Sequence, residues 1–501
     1  MNNFNTRPLS SSDSDSLDNY QTPKRKKPFR FLFICLVVLL GVFLLSQTSS
    51  TTSAGFFGSI AKLLVNGDRS LKGEGDGRIN ILLLGMGGVA HEGPLLTDTI
   101  MLASIRPGQK DAALISLPRD LVIPANGYGL PKINSLNAYG ETGKYPGGGA
   151  VFANNVLSKA LNIPIHYYVR VDFDFFKQLV DDLGGISVTV ERSFIDTQYP
   201  TDNFGYQTIS FDKGTQEMDG ETALKFVRSR HGDNEENSDF ARAKRQQLVL
   251  EAIKNKGLSF GNLVNPSFIA NTLENAQTNV STNLEPWEII KLGKIARDID
   301  GHISRFVFTD SPGNFLTGSF GPDGGYILAP TKGDYSDIAK TVDEIFTLND
   351  GSKEKVNIVL QNSTLQTGLA QYTASQLALF GYNVIAYGNA SVRGQNQTMV
   401  YDMTNGKKSM TVKALSDWFL ATTATTVPDI VVDNSTFTFL ENGIVLDKEK
   451  DYIPANRPVD FLVVLGSDAG NNFQQVLNNQ LKLLEQSKEV RAKVEIPSPQ
   501  P

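Results

Sequence analysis

A single cysteine, Cys35, stands in 501 residues, and it lies in an apolar run. No disulfide can form within one chain, and a cysteine-based zinc site is excluded. Histidine is also scarce. His91, His166, His231 and His302 are scattered without metal-ligand spacing, and only His231 adjoins a cluster of charge. A basic surplus is missing too: net charge is −6 and the pI is about 5.5. That argues against a nucleic-acid binder, which normally carries a basic face. What remains is an ordinary globular composition, 40% hydrophobic and 20% charged, with room for about two to four domains.

Against this acidic background one stretch is strongly basic. Arg228-Ser229-Arg230-His231 is followed by Asp239-Phe240-Ala241-Arg242 and Arg245-Gln246-Gln247, which places four arginines within 18 residues. A guanidinium is a flat fork of donors that fits phosphate oxygens two at a time. Several such forks together suit a pyrophosphate. The same residues also suit a charged helix face paired with Asp239, Glu235 or Glu236. The stretch alone leaves both readings open.

The N-terminus reads as a membrane anchor. Residues 1–28 are polar and are predicted to be a disordered cytoplasmic tail. Lys24, Arg25, Lys26, Lys27 and Arg30 precede an uncharged run from Phe31 to Leu45. Fifteen helical residues rise only about 22 Å, short of a hydrocarbon core about 30 Å thick. Ser46 to Ala54 can complete the span, so 29–54 is predicted to be one transmembrane helix. The positive-inside rule then puts the bulk of the chain outside the cell membrane. A cleaved signal peptide is the rival, but its leading tail would be unusually long.

Beyond a glycine-interrupted linker at 55–78, apolar runs of strand length alternate with helical patterns. Ile79–Gly85, Thr99–Ile105, Ala112–Leu117, Tyr167–Val171 and Ile186–Val190 read as strands. Val151–Leu161, Phe173–Leu183, Gly220–Val227 and Asp239–Lys256 read as helices. Alternation of this kind implies helices packed on a sheet. Residues 257–354 are expected to add helical elements and a connector. A second α/β unit begins near Lys355, with strands at Val356–Leu360, Tyr382–Tyr387 and Phe461–Leu465. Residues 469–501 read as a polar tail whose Pro-rich end is unstructured.

Four short elements precede the arginine cluster: Gly85-Met86-Gly87-Gly88, Thr97-Asp98-Thr99-Ile100, Leu117-Pro118-Arg119-Asp120 and Lys132-Ile133-Asn134. Singly, each also fits a turn, a strand cap or a surface ion pair. In this order, with Asp172-Phe173, Asp219-Gly220-Glu221, Arg228-Ser229-Arg230 and Asp239…Arg242…Arg245-Gln246, they resemble the LytR-CpsA-Psr family over roughly residues 79–255. Val356-Asn357-Ile358-Val359-Leu360-Gln361-Asn362, Gly368-Leu369-Ala370 and Val463-Val464-Leu465-Gly466-Ser467-Asp468 look like that family's C-terminal LytR domain.

The resemblance implies an α/β/α catalytic domain with a mixed central sheet at 79–345 (core 79–255) and a smaller α/β domain at 355–468. It implies a membrane-anchored phosphotransferase that moves a glycan phosphate from an undecaprenyl pyrophosphate carrier to a peptidoglycan hydroxyl, with pyrophosphatase as a side activity. Carried over residue by residue, Asp98, Arg119, Arg228, Arg230, Asp239 and Arg242 form the catalytic set. Lys132, Asn134, Arg245 and Gln246 bind substrate, and Asp98 and Asp239 hold Mg²⁺ or Mn²⁺. The partners implied are the lipid-linked glycan, a cell-wall acceptor and the membrane, not nucleic acid. The apolar stripes Val151-Phe152…Val156-Leu157…Leu161 and Phe173…Phe176…Leu179-Val180…Leu183 are candidates to shelter the lipid, although core packing would use the same residues.

Two expected residues are missing. The family's acid after the first strand is replaced by Met86-Gly87-Gly88, and the arginine two residues before Asp98 is Leu96. His91 or Glu92 in the same loop can substitute. These departures keep two other readings open, a non-catalytic binder of lipid-linked glycans and a transcriptional attenuator.

Overall fold

A computed structural model describes residues 69–494 apart from 90, 92, 202–204, 260–278, short breaks between 286 and 313, 427–437, 442–443 and 446–457. The anticipated tail, membrane span and most of the linker lie outside the described residues. Among the described residues no helix is long and apolar enough to cross a membrane.

The first unit is built on β1 (Ile79–Met86), β2 (Thr97–Arg106), β3 (Asp111–Ser116), helices α1 (Leu136–Thr142) and α2 (Gly148–Leu161), β4 (Tyr167–Asp172) and α3 (Phe173–Asp182). An excursion follows: β5 (Ile186–Val190), β6 (Phe194–Pro200), β7 (Tyr206–Phe211) and β8 (Gly214–Met218). The chain returns through α4 (Gly220–Arg228), α5 (Asp239–Ser259), β9 (Val280–Thr282), β10 (Ile303–Val307), β11 (Leu316–Phe320), β12 (Tyr326–Pro330) and α6 (Ser336–Ser352). The central sheet has the order β10-β3-β2-β1-β4-β9. It is mixed: β1 runs antiparallel to β2 and parallel to β4.

Side chains alternate across a strand, and both faces of this sheet are covered. Leu82, Leu84, Ile100, Leu102, Ala113 and Ile115 pack in one core with α2, while Ile81, Leu83, Met101, Ala103 and Leu114 pack in another with Leu284, Leu292 and Ala296. The α/β/α layering read from the sequence is what the chain adopts.

The second unit comprises β13 (Asn357–Asn362), α7 (Leu369–Leu379), β14 (Asn383–Asn389), β15 (Met399–Asp402), α8 (Ser409–Phe419), β16 (Thr422–Ala424), β17 (Thr438–Glu441), β18 (Ile444–Val445), β19 (Phe461–Leu465) and α9 (Ser467–Val494). Its sheet order is β16-β15-β19-β13-β14-β17-β18. The core of the first unit continues into the second without a break, through Phe306, Phe315, Phe380 and Trp418. A boundary at 345 falls inside α6, whose Asp350 pairs with Arg106 at 3.0 Å.

Two expectations change. Residues 257–354 are expected to add helical elements and a connector; α6 is such a helix, but the described residues there also hold four strands, and β10 extends the central sheet beside β3. These strands are three to five residues long, too short to show a period; pairing decides them, of β9 and β10 with the central sheet and of β11 with β12, not local pattern. The polar tail is helical as far as Val494, because Phe473, Val476 and Leu477 follow an i, i+3, i+4 spacing and pack on the core.

Candidate active site

The site is assembled where β1 and β4 end and β2 begins. Asp98 is the second residue of β2. Its Oδ1 accepts from Arg119 Nη1 at 3.2 Å, and its Oδ2 accepts from Arg230 Nη2 at 3.3 Å across 132 residues of chain. Burial by itself raises the pKa of Asp98. The nearby charges of Arg119, Arg230 and Arg242 outweigh it and hold the carboxyl below its ordinary range. The Asp98 side chain is still 40% exposed, so this group of charges faces a solvent-open cleft.

Arg119 is positioned by its loop. Its Nε lies 3.4 Å from Asp120, and Asp120 accepts from Lys132 Nζ at 2.8 Å. The Asn134 amide donates to the Arg119 carbonyl at 3.3 Å, and Thr97 Oγ1 donates to the Asn134 carbonyl at 3.3 Å. Lys132 thus adjoins Arg119 through Asp120, and Asn134 holds the Arg119 loop through its backbone.

Arg228 comes from the other side. Asp219 caps α4 by accepting from the Thr222 amide at 2.8 Å, and Arg228 is the last residue of that helix, an end that favours a cation. Its guanidinium lies 4.5 Å from the Phe173 ring centroid and 5.5 Å from that of Tyr199, with Nη1 donating to the Tyr199 hydroxyl at 3.3 Å. Stacking occupies the faces of a guanidinium and leaves its edge for in-plane acceptors such as phosphate oxygens.

The segment between the two arginines is clamped. Ser229 is fully buried. Asp196 accepts from Ser229 Oγ at 2.7 Å and from the amides of Arg230 and His231 at 3.1 Å each. From the opposite direction Arg245 donates to the carbonyls of Ser229 at 2.6 Å and Phe226 at 2.9 Å, and it pairs with Glu236. Arg245 was expected to bind substrate. Its side chain is 3% exposed and its donors are spent on the framework, so it is a positioning residue. Asp196, 33 positions before Ser229, carries no sequence signal that could have found it. Gln246 donates to Thr99 Oγ1 at 2.9 Å and reaches the cleft floor. Asp239 begins α5, and its side chain lies outside the described residues, as does Glu92.

Beneath this cleft opens an apolar cavity with about 120 Å³ of water-accessible space. Phe173, Phe176, Leu179, Leu224, Val227 and Leu250 line it, with Gly85, Thr99, Asp172 and Gln246 among the residues that bound it. Of the two apolar stripes proposed for a lipid, α3 contributes Phe173, Phe176 and Leu179. The α2 stripe does not line it: Phe152, Leu157 and Leu161 are spent in the main core. Phe173 joins the two regions, lining the cavity and carrying Arg228. The His91 ring meets the same Phe173 edge-on at 5.1 Å, which places the loop lacking the usual acid at the junction.

No group of three metal-ligating side chains occurs among the described residues. Asp98 is a half-exposed carboxylate held ionised, and Mg²⁺ is commonly held by one or two carboxylates plus substrate phosphates. On that chemistry Asp98 fits a divalent cation that arrives with its substrate.

The geometry sets an arginine-lined cleft over an apolar cavity. A sequence model of the LytR_cpsA_psr family matches residues 48–323. The chain is 30% identical to the polyisoprenyl-teichoic acid–peptidoglycan teichoic acid transferase TagU of Bacillus licheniformis over 55% of its own length and 85% of the relative's. It is 31% identical to the corresponding transferase TagV of Bacillus subtilis over 53% and 64%. Superposed on the crystal structure of B. subtilis TagV it gives a TM-score of 0.40 at 27% identity, over 53% of this chain and 96% of that one. The chain belongs to the LytR-CpsA-Psr family.

Proposed function

We propose that the chain is a phosphotransferase acting outside the cell membrane, moving a glycan phosphate from an undecaprenyl pyrophosphate carrier to a peptidoglycan hydroxyl. One observation carries the reading: Phe173 is both a wall of the apolar cavity and the platform for Arg228. A diphosphate at the arginines thus has its polyprenyl tail directed into the cavity. The names of the matched relatives support the same chemistry.

Arg119, Arg228, Arg230 and Arg242 spread positive charge around the diphosphate. In the transfer, the acceptor oxygen forms a bond to the glycan-side phosphorus as the bond to the bridging oxygen breaks. Polyprenyl phosphate leaves with the bridging oxygen, and the acceptor's hydroxyl proton passes to the phosphate oxygens of the leaving group or to solvent. Such a step needs neutralisation and in-line geometry more than covalent catalysis. Asp98, held ionised, is a weak base, and its part is to hold Arg119 and Arg230 in place before substrate arrives. Asp98 and Asp239 would hold Mg²⁺ or Mn²⁺, which supplies further neutralisation of phosphate charge. Water in place of the acceptor gives the pyrophosphatase side reaction. The second unit serves as the LytR-type C-terminal domain.

The test is release of undecaprenyl phosphate by the full-length protein from a lipid-pyrophosphate glycan with Mg²⁺. Release by the wild type, lowered roughly 10- to 150-fold in Arg230→Ala, is expected. Binding without release by the wild type would assign the protein as a binder instead.

A further inference from the structure

Each buried side chain of β6 meets the arginine cluster. The Arg245 guanidinium lies 4.9 Å from the Phe194 ring centroid, Asp196 clamps the Ser229 to His231 segment, and Tyr199 meets Arg228. Asp196 and Tyr199 are three positions apart, so a regular strand would turn them to opposite faces. A bulge prevents that. Asp196 pairs with Ile209 and Tyr199 with Gln207, so Thr197 and Gln198 together oppose Thr208. Inside the bulge the Gln198 amide donates to Asp196 Oδ1 at 2.9 Å. Both Thr197 and Gln198 are exposed, while Phe194, Asp196 and Tyr199 are buried. Bulges are common beside active sites, where they re-aim a side chain.

Arg228 is held unlike Arg119 and Arg230. Those two share the Asp98 carboxylate, at 3.2 and 3.3 Å, so part of their charge is balanced before any ligand arrives. The Arg228 guanidinium has no ion pair among the described residues, and its one hydrogen bond there is to the Tyr199 hydroxyl at 3.3 Å. Burial pushes the Tyr199 phenol above its ordinary range, and the nearby charge of Arg228 offsets only part of that. The partner is therefore neutral at physiological pH. A neutral acceptor orients a cation without cancelling its charge. The Phe173 ring, 4.5 Å from the guanidinium centre, limits its tilt. The bond at Nη1 limits its rotation in its own plane. Nε and Nη2 are left for phosphate oxygens.

We propose that Tyr199 is a positioning residue that fixes the Arg228 guanidinium through a neutral contact, so that its undivided charge meets the diphosphate. The inference rests on the proposed function and names what orients one of its cations. Tyr199 acts on substrate only through Arg228, because that guanidinium is the sole group its hydroxyl reaches among the described residues.

The experiment compares full-length wild type, Tyr199→Phe, Arg228→Ala and the double variant in detergent. One arm measures single-turnover release of polyprenyl phosphate from a lipid-pyrophosphate glycan. The other measures the Kd of inorganic pyrophosphate by titration calorimetry. Tyr199→Phe keeps the ring beside Arg228 and removes only the acceptor. It should lower release and weaken pyrophosphate binding by roughly tenfold, the weight of one hydrogen bond to a charged group. In the Arg228→Ala background the same change should do nothing further, which a general loss of packing would not reproduce. A fall on either arm that vanishes without Arg228 supports the assignment. Wild-type values on both arms would overturn it. So would an equal loss with and without Arg228, which would put the phenol directly on the substrate or in the fold at large. A wild type that binds pyrophosphate but releases no polyprenyl phosphate would strike the phosphotransferase reading alone, and the binding arm would still decide the role of Tyr199. A wild type that does neither would strike both.

Discussion

The Asp196 carboxylate accepts the Ser229 hydroxyl at 2.7 Å, joining the β6 strand to the residue between Arg228 and Arg230. Ser229 is fully buried, and its two neighbours point their guanidiniums at Phe173 and at Asp98. A locked residue between two arginines fixes where both guanidiniums leave the backbone. The clamp pre-pays the ordering that phosphate binding would otherwise require.

Asp196→Asn should destabilise the fold by about 1–3 kcal/mol, because an amide nitrogen replaces an acceptor that faces three donors. Burial raises the pKa of Asp196, but hydrogen bonds from Ser229, Gln198, His231 and Arg230 outweigh it and leave it lowered. A carboxyl with a lowered folded pKa stabilises above its unfolded value, about 3.9, and loses that contribution as pH falls through the folded value. The stability gap between wild type and variant should therefore be constant from neutral pH to about pH 4 and close below it. Urea denaturation across that range measures it. A gap of unchanged size at the acid end would refute the charged clamp.

Arg228→Ala and Arg230→Ala should each lower turnover by roughly 10- to 150-fold, the equivalent of a charge-assisted contact of about 1.5–3 kcal/mol. Neither should unfold the protein, since Arg230 is 35% exposed and Arg228 is held by ring contacts. Single-turnover release of polyprenyl phosphate and thermal melting give the two readouts. Full activity in both variants would remove the arginines from the mechanism.

Arg245→Ala should behave differently. It strips the Ser229 and Phe226 carbonyls of a donor and leaves Glu236 without its ion partner. Breaking a buried pair of this kind costs about 3–5 kcal/mol. The expected signature is a large fall in melting temperature together with lost turnover. Lost turnover at wild-type stability would return Arg245 to the substrate.

Leu250→Trp fills the apolar cavity with a residue already on its wall. Mass spectrometry of protein purified from membranes should show less bound polyprenyl phosphate than in wild type. Hydrolysis of a soluble, tail-less pyrophosphate sugar should persist. Equal lipid content in the two proteins would place the tail elsewhere.

The chain's residues alone announced much of this. Strands β1 to β5 and helices α2 to α5 of the first unit followed from apolar periodicity, whereas α1 and β6 to β12 did not. Arg119, Arg228, Arg230 and Asp98 were named from a family resemblance carried by short motifs, and the structure brings Arg119 and Arg230 onto Asp98 and sets Arg228 against Phe173. Local pattern suffices there because strand termini and helix caps, such as Asp172 on α3 and Asp219 on α4, are set by neighbours in sequence. Other assignments needed the fold. Arg245 and Arg242 are one helical turn apart and alike on paper, yet Arg245 is committed to a backbone segment 16 residues away. The stripes of α2 and α3 have the same spacing, and only packing sends one to the core and the other to the cavity. The strands between 280 and 330 have too few residues to show a period. The order of motifs therefore pointed to the family to which the chain belongs. The three-dimensional structure decided which side chains are spent on holding the site in place, because burial and long-range hydrogen bonds join residues that share no local pattern.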